Sequence, residues 1–195
     1  MCAKSTFWAL VAVMVVISGN AFGQSSGPED IARRYSDALK TKDWAGATAL
    51  MHPDALSRLK QLMRPLVTER PVDLGNRLFR VRAASEFEAL TDSEVFGRLM
   101  VSLSENSAAV MPLLASVETT PIGRIKEGPD IVHIVLRVRI SGKTIVSSDV
   151  AVRTVKRHGK EWRLMLPGSL EGLVAWWTDA SRPSLEDLDK LEIVN

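Results

Sequence analysis

The chain has 195 residues, 46% of them hydrophobic, with 25 Lys and Arg against 23 Asp and Glu for a formal charge of +2. That near-neutral balance lacks the basic excess of a phosphate-tracking nucleic-acid binder, so no nucleic-acid partner is expected. A single cysteine, Cys2, excludes an intrachain disulfide, and its place before an apolar leader argues against a cysteine nucleophile or a thiolate metal site.

Lys4, an apolar run from Phe7 to Ile17, and small residues ending in Ala21-Phe22-Gly23 follow the order of a secretory signal peptide. The run is shorter than the roughly 18 to 20 apolar residues that a membrane-spanning helix needs. Residues 1–23 are therefore expected to be removed on export, leaving 172 residues in the periplasm or outside the cell with no membrane span. Without a disulfide, packing alone would have to hold that mature chain together. Residues 24–180 are expected to form one α+β domain, with 181–195 as a terminal helix or acidic tail.

Pro28, Glu29 and Asp30 suit the first turn of a helix, and Ile31, Tyr35, Ala38 and Leu39 recur at helical spacing up to about residue 41. Asp43 can cap a short helix carrying Trp44, Ala47, Leu50 and Met51. A third helix begins at Pro53 with Leu56, Leu59 and Met63 on one side, and Pro65 is expected to end or kink it. The stretch "NRLFRVRAASEFEAL" suggests a strand around Leu78 to Ala83. Thr91-Asp92-Ser93-Glu94 is a capping box, with Leu90 and Val95 at staple positions, ahead of a helix bearing Val95, Phe96, Leu99, Met100 and Leu103.

From Ser116 the pattern changes to β-branched alternation. Strands are expected near 116–125, 130–140, 144–157 and 161–166, joined at "EGPD", "SGK" and "RHGK" into an antiparallel meander. Ser169 can cap a further helix with Leu170, Leu173, Val174 and Trp177, and Ser184 opens "LEDLDKL". The predicted fold class is thus α+β, with N-terminal helices packed on a curved antiparallel β-meander.

The stretches "ARRYSDALKTKDWAGATALMHPDA" and "GKTIVSSDVAVRTVKRHGKEWRLML" make the chain similar to the nuclear transport factor 2-like superfamily, whose fold is a cone-shaped roll. The resemblance implies a cavity between sheet and helices, which Tyr35, Trp44, Leu50, Phe96, Trp162 and Trp177 would line. Within that superfamily, the "RY" of the ketosteroid isomerases supplies an oxyanion-hole tyrosine, and Tyr35 matches its place. The isomerase base position falls here on Leu59. Its strand acid falls on Val150, with Asp149 one residue before it.

Strand side chains alternate faces, so one residue of register decides what Asp149 does. A two-residue turn would pair Ile134 with Asp149 and turn the carboxylate inward. A three-residue loop would pair Ile134 with Val150 and Val138 with Val146, leaving Asp149 outside. The expectation adopted is Asp149 outside, because an unpaired buried carboxylate is costly.

His52 precedes Pro53 and reads first as a junction residue, with catalysis as its less favoured role. His133 is expected on the solvent face, and His158 in a turn beside Gly159. Three scattered histidines show no ligand spacing, so no metal or cofactor is implied. Arg137, Arg139 and Arg163 alternate with apolar neighbours as a basic stripe on the outer sheet face, and Trp176 must point away from Trp177. The reading is an exported, non-enzymatic binding or accessory domain whose cavity takes a small apolar molecule or a protein partner. Two alternatives stay open: an isomerase or dehydratase using Tyr35 and Asp149, and a module that forms a homodimer through its sheet face.

Overall fold

A computed structural model describes residues 27–68, 72–106, 116–141 and 146–168. The expected signal peptide, the helix expected after Ser169, Trp176, Trp177, the expected tail and most of the "SGK" connection lie outside the described residues. Among the described residues, six helices precede a four-stranded antiparallel sheet of order β1-β2-β3-β4. The chain is therefore α+β.

Helix α1, Pro28–Lys40, buries Ile31, Ala32, Tyr35 and Ala38 and places Pro28 at its start with Glu29 and Asp30 in the first turn. Helix α2, Trp44–Ala49, is capped by Asp43, whose carboxylate accepts from the Gly46 N–H at 2.8 Å. Helix α3, Pro53–Thr68, buries Leu56, Leu59 and Met63 as expected. It also runs through Pro65 for three more residues, so that proline does not end it.

The strand expected at Leu78 to Ala83 is absent. Leu78 and Phe79 end helix α4, Val72–Phe79, and residues 80–83 connect it to helix α5, Ala84–Ala89. Between them Arg80 adopts φ of 54°, a left-handed stop that a non-glycine residue takes only when its surroundings hold it there. Those surroundings come from the next helix: Arg98 donates to the Phe79 carbonyl at 2.9 Å and Ser102 to the Arg77 carbonyl at 2.6 Å. Phe79 and Phe87 then meet edge to face with centroids 5.0 Å apart, both without exposed surface.

Helix α6, Asp92–Asn106, starts on the expected capping box. The Thr91 hydroxyl accepts from the Glu94 N–H at 3.2 Å, and Glu94 accepts from the Thr91 N–H at 2.7 Å. Its apolar stripe buries Val95, Phe96, Leu99 and Met100. Helix α6 packs on α2, α3 and α4, making a helical layer beside the sheet.

The strands are β1, Val117–Glu127, β2, Ile131–Ser141, β3, Val146–His158, and β4, Glu161–Leu164. Gly128 and Gly159 supply φ of 71° and 62° at the two tight turns, close to the expected places. Strand β1 lies at an edge, where Pro121 is tolerated, and a register shift follows it before Gly123. On the inner face, Val132, Ile134 and Leu136 are buried, and α1 packs across the sheet. At the other edge Met51 bridges to Leu164 in parallel, with His52 N–H donating to the Leu164 carbonyl at 2.7 Å and Leu164 N–H to the Leu50 carbonyl at 2.9 Å.

The register of β3 matches neither expected loop. Ser141 pairs with Val146, so Val138 pairs with Asp149 and Ile134 with Arg153. Asp149 therefore shares the inner face with Val138, Leu136 and Ile134, which corrects its expected outward placement. It remains exposed there, so no unpaired charge is buried. Val150 and Val152 take the outer face instead, 54% and 55% exposed.

The capping box gives a direct stability test. Thr91→Ala removes the N-terminal cap of α6, and urea unfolding should show a loss of about 1 kcal/mol, with Thr91→Ser retaining most of it.

Candidate functional site

Helix α2, the first turn of α3, the middle of α6 and β4 enclose an open groove of about 980 Å³. Its floor is apolar: Trp44, Ala49, Met51, Leu56 and Val101. Its rim carries Arg80, Arg98, Arg163 and Glu94. The groove keeps this width partly because Gly97 faces it without a side chain, and a Cβ added there would meet nothing within 4 Å.

Each rim arginine is positioned by a bond made with part of its fork. Arg80 pairs with Glu105 at 2.6 Å, and Arg98 bonds the Phe79 carbonyl. Arg163 pairs with Glu161 at 2.5 Å and also donates to the Ala49 carbonyl. A guanidinium has five N–H donors, so each keeps capacity for another acceptor. The surface combines an apolar floor with a cationic edge, which suits an apolar molecule bearing an acceptor group.

Of the residues expected to line a cavity, Trp44 lines this groove. Tyr35, Leu50 and Phe96 belong to the buried core. Trp162 is half-buried, with the Arg157 guanidinium 4.5 Å over its ring, and Trp177 lies outside the described residues. Sequence reasoning missed Met51, Leu56, Gly97 and Val101 as neighbours, because they come from the α2–α3 junction, α3 and α6, whose mutual packing no local pattern encodes. A glycine in the interior of α6 was the one available signal.

Tyr35 faces Arg153 rather than Asp149. Burial pushes the Tyr35 hydroxyl up to about 12, opposed by the nearby Arg153 charge, and burial lowers Arg153 from its ordinary value. Asp149 stands four residues along β3 from Arg153, about 13 Å at strand rise. The Tyr35 and Asp149 pair is thus not brought together at the Arg153 position.

His52 is buried, and its backbone joins the sheet edge. Its Nδ1 accepts from the Asp54 N–H at 3.1 Å, which makes it a junction residue at the start of α3. The ring stacks edge to face on His158 with centroids 5.4 Å apart, and Lys156 pairs with Asp54 at 2.7 Å. His133 is half-buried on the outer face, 2.8 Å from Glu127 and 3.0 Å from Thr154. Arg137 and Arg139 are exposed on the same outer face. Among the described residues no helix is long and apolar enough to cross a membrane.

Compared with known protein families, characterised proteins and solved structures, the chain gives no match.

Burial lowers the His52 pKa from its ordinary 6.5, with Lys156 and His158 acting in the same direction and Asp54 against it. The unfolded chain then binds the proton more readily than the folded one, so stability should fall as pH drops through about 6.5. His52→Asn keeps an acceptor for the Asp54 N–H without titrating. Urea unfolding between pH 7.5 and 5.5 should show a flatter profile for this variant; identical profiles would assign the pH dependence to other groups.

Proposed function

We propose that the protein is an exported, non-enzymatic binding or accessory domain of the nuclear transport factor 2-like kind. Its ligand is a small, largely apolar molecule. The observation that carries this reading is the groove between α2 and α6, with Trp44, Met51, Leu56 and Val101 as floor and three arginines at the rim. Its volume of about 980 Å³ lies at the upper end of the range for sites that engulf small organic molecules. Under this reading the cavity that matters is bounded by helices and a sheet edge, and Tyr35 does not line it.

Gly97 makes the reading testable. Gly97→Leu places a branched side chain into open groove space while removing a glycine from the interior of α6. The variant should be more stable by up to about 1 kcal/mol, from helix propensity alone. It should also bind a neutral apolar fluorophore such as N-phenylnaphthylamine at least tenfold more weakly than the unaltered protein. Equal fluorophore binding by a stable Gly97→Leu variant would remove the groove as the ligand site.

A second reading, a homodimer formed through the sheet, is favoured by a specific observation. Ile125, Val150 and Val152 share the outer face and are 62%, 54% and 55% exposed, beside Arg137 and Arg139. Isolated exposed apolar residues are ordinary, whereas three on one sheet face suit a partner. Sedimentation should then show a dimer that Val152→Asp dissociates without loss of folding. A protein that stays monomeric at high concentration before any substitution rules this reading out.

A further inference from the structure

Tyr35 and Arg153 approach each other on the inner face of the sheet, and among the described residues neither has a bonding partner. The register sets Arg153 opposite Ile134, which has no exposed surface, on the face that α1 covers. Tyr35 projects from α1 into the same layer and is 7% exposed, while Arg153 is half-buried. The two side chains lie close enough for each to feel the other electrostatically, yet no hydrogen bond joins them. Among the described residues the Tyr35 hydroxyl makes no hydrogen bond, and the Arg153 guanidinium has neither a hydrogen bond nor a carboxylate partner.

A buried hydroxyl such as that of Tyr35 is rarely left this way, because both its water and its bonds are lost, and the half-buried Arg153 guanidinium beside it keeps only part of its hydration. The Tyr35 hydroxyl holds its proton at physiological pH, and arginine is always charged, so both groups are donors. Two converging donors, one of them cationic, call for an anionic acceptor. A planar carboxylate suits the fork of a guanidinium and leaves a lone pair for the tyrosine hydroxyl.

The surroundings define the rest of the ligand. Beyond Arg153 the inner face continues through half-buried Ala151, buried Leu136, and half-buried Val138 and Ile140, an apolar strip. Asp149 follows on the exposed end of that strip and would repel a second negative group. The anionic head thus belongs at Arg153, with an apolar body running toward Val138.

We propose that Tyr35 and Arg153 form a carboxylate-binding site on the inner sheet face, which takes a carboxylate joined to an apolar body. This site is separate from the groove between α2 and α6. Two sources share the chemistry: a free amphiphilic acid, or the chain's own residues 184–195, "SLEDLDKLEIVN", in which leucines are interleaved with carboxylates.

The test is calorimetric titration of the purified protein with decanoic acid and with decanol, run in the Gly97→Leu background so that the groove does not compete. Decanoate should bind at least tenfold more tightly than decanol. Arg153→Met should weaken decanoate by about 10- to 100-fold, the range for bonds to a charged group, and Tyr35→Phe by about fivefold. Arg153→Lys, which keeps the charge, should recover part of the affinity and control for folding. The source is read from a full-length variant carrying E186Q, D187N, D189N and E192Q. Tighter decanoate binding by that variant assigns the site to the chain's own carboxylates, and unchanged binding assigns it to a free acid. Equal affinity for decanoate and decanol, decanoate binding insensitive to Arg153→Met, or no binding by either the parent or the neutralised variant overturns the proposal.

Discussion

Two backbone hydrogen bonds hold the helical layer against the sheet. His52 donates to the Leu164 carbonyl and Leu164 to the Leu50 carbonyl, so the junction between α2 and α3 becomes an extra edge beside the four-residue strand β4. A strand that short has little pairing of its own, and the added segment also covers an edge that would otherwise be open. Met51, the bridging residue, is 2% exposed and contributes to the groove floor. The groove exists because α2 must end and α3 must begin at this point, on either side of a paired residue. The buried neutral imidazole of His52 is a consequence of the same constraint, since its backbone is fixed in the sheet edge.

The elements legible in the sequence are those whose signals are local. The capping box at Thr91 and Glu94, the cap at Asp43, and the glycines at 128 and 159 each make bonds or torsions within a few residues, and each appears where expected. The strand expected at Leu78 to Ala83 does not form, and the flanking helices of eight and six residues are too short for periodicity to show. What makes them helices is supplied from elsewhere: Lys60 of α3 donates to the Glu88 and Leu90 carbonyls at 3.0 and 2.5 Å, and Arg98 of α6 to that of Phe79. Pro65 continues within α3, whose buried face extends past it to Leu66. Tertiary packing outweighed the local penalty there.

The same distinction separates the candidate sites. Trp44 could be named from its stripe, but the groove it lines also needs Gly97 and Val101, which approach it only because α6 packs on α2 and α3. Tyr35 could be placed on the buried face of α1 from spacing alone. Its neighbour across the layer could not, because Arg153 is inward only in a register set by Ser141 pairing with Val146. A shift of one residue would have sent Arg153 outward and brought Val152 in.

Strand β3 reverses the usual pattern of a half-buried strand. Its inner face carries Ser147, Asp149, Ala151 and Arg153 before reaching Val155, while Val150 and Val152 stand on the outer face. Hydrophobic alternation would assign the valines to the core, and burial of Val152 would be worth about 1.5 to 3 kcal/mol if nothing opposed it. The outcome is decided by β2, whose Val132, Ile134 and Leu136 are buried against α1 and whose pairing fixes which residues of β3 follow them. Three buried side chains on β2 outweigh two valines in the middle of β3. The cost falls on β3, which leaves apolar groups facing solvent on one side and polar groups facing an apolar layer on the other. A partner on the outer valines, or an acceptor at Arg153 and Tyr35, lowers that cost at the face it meets.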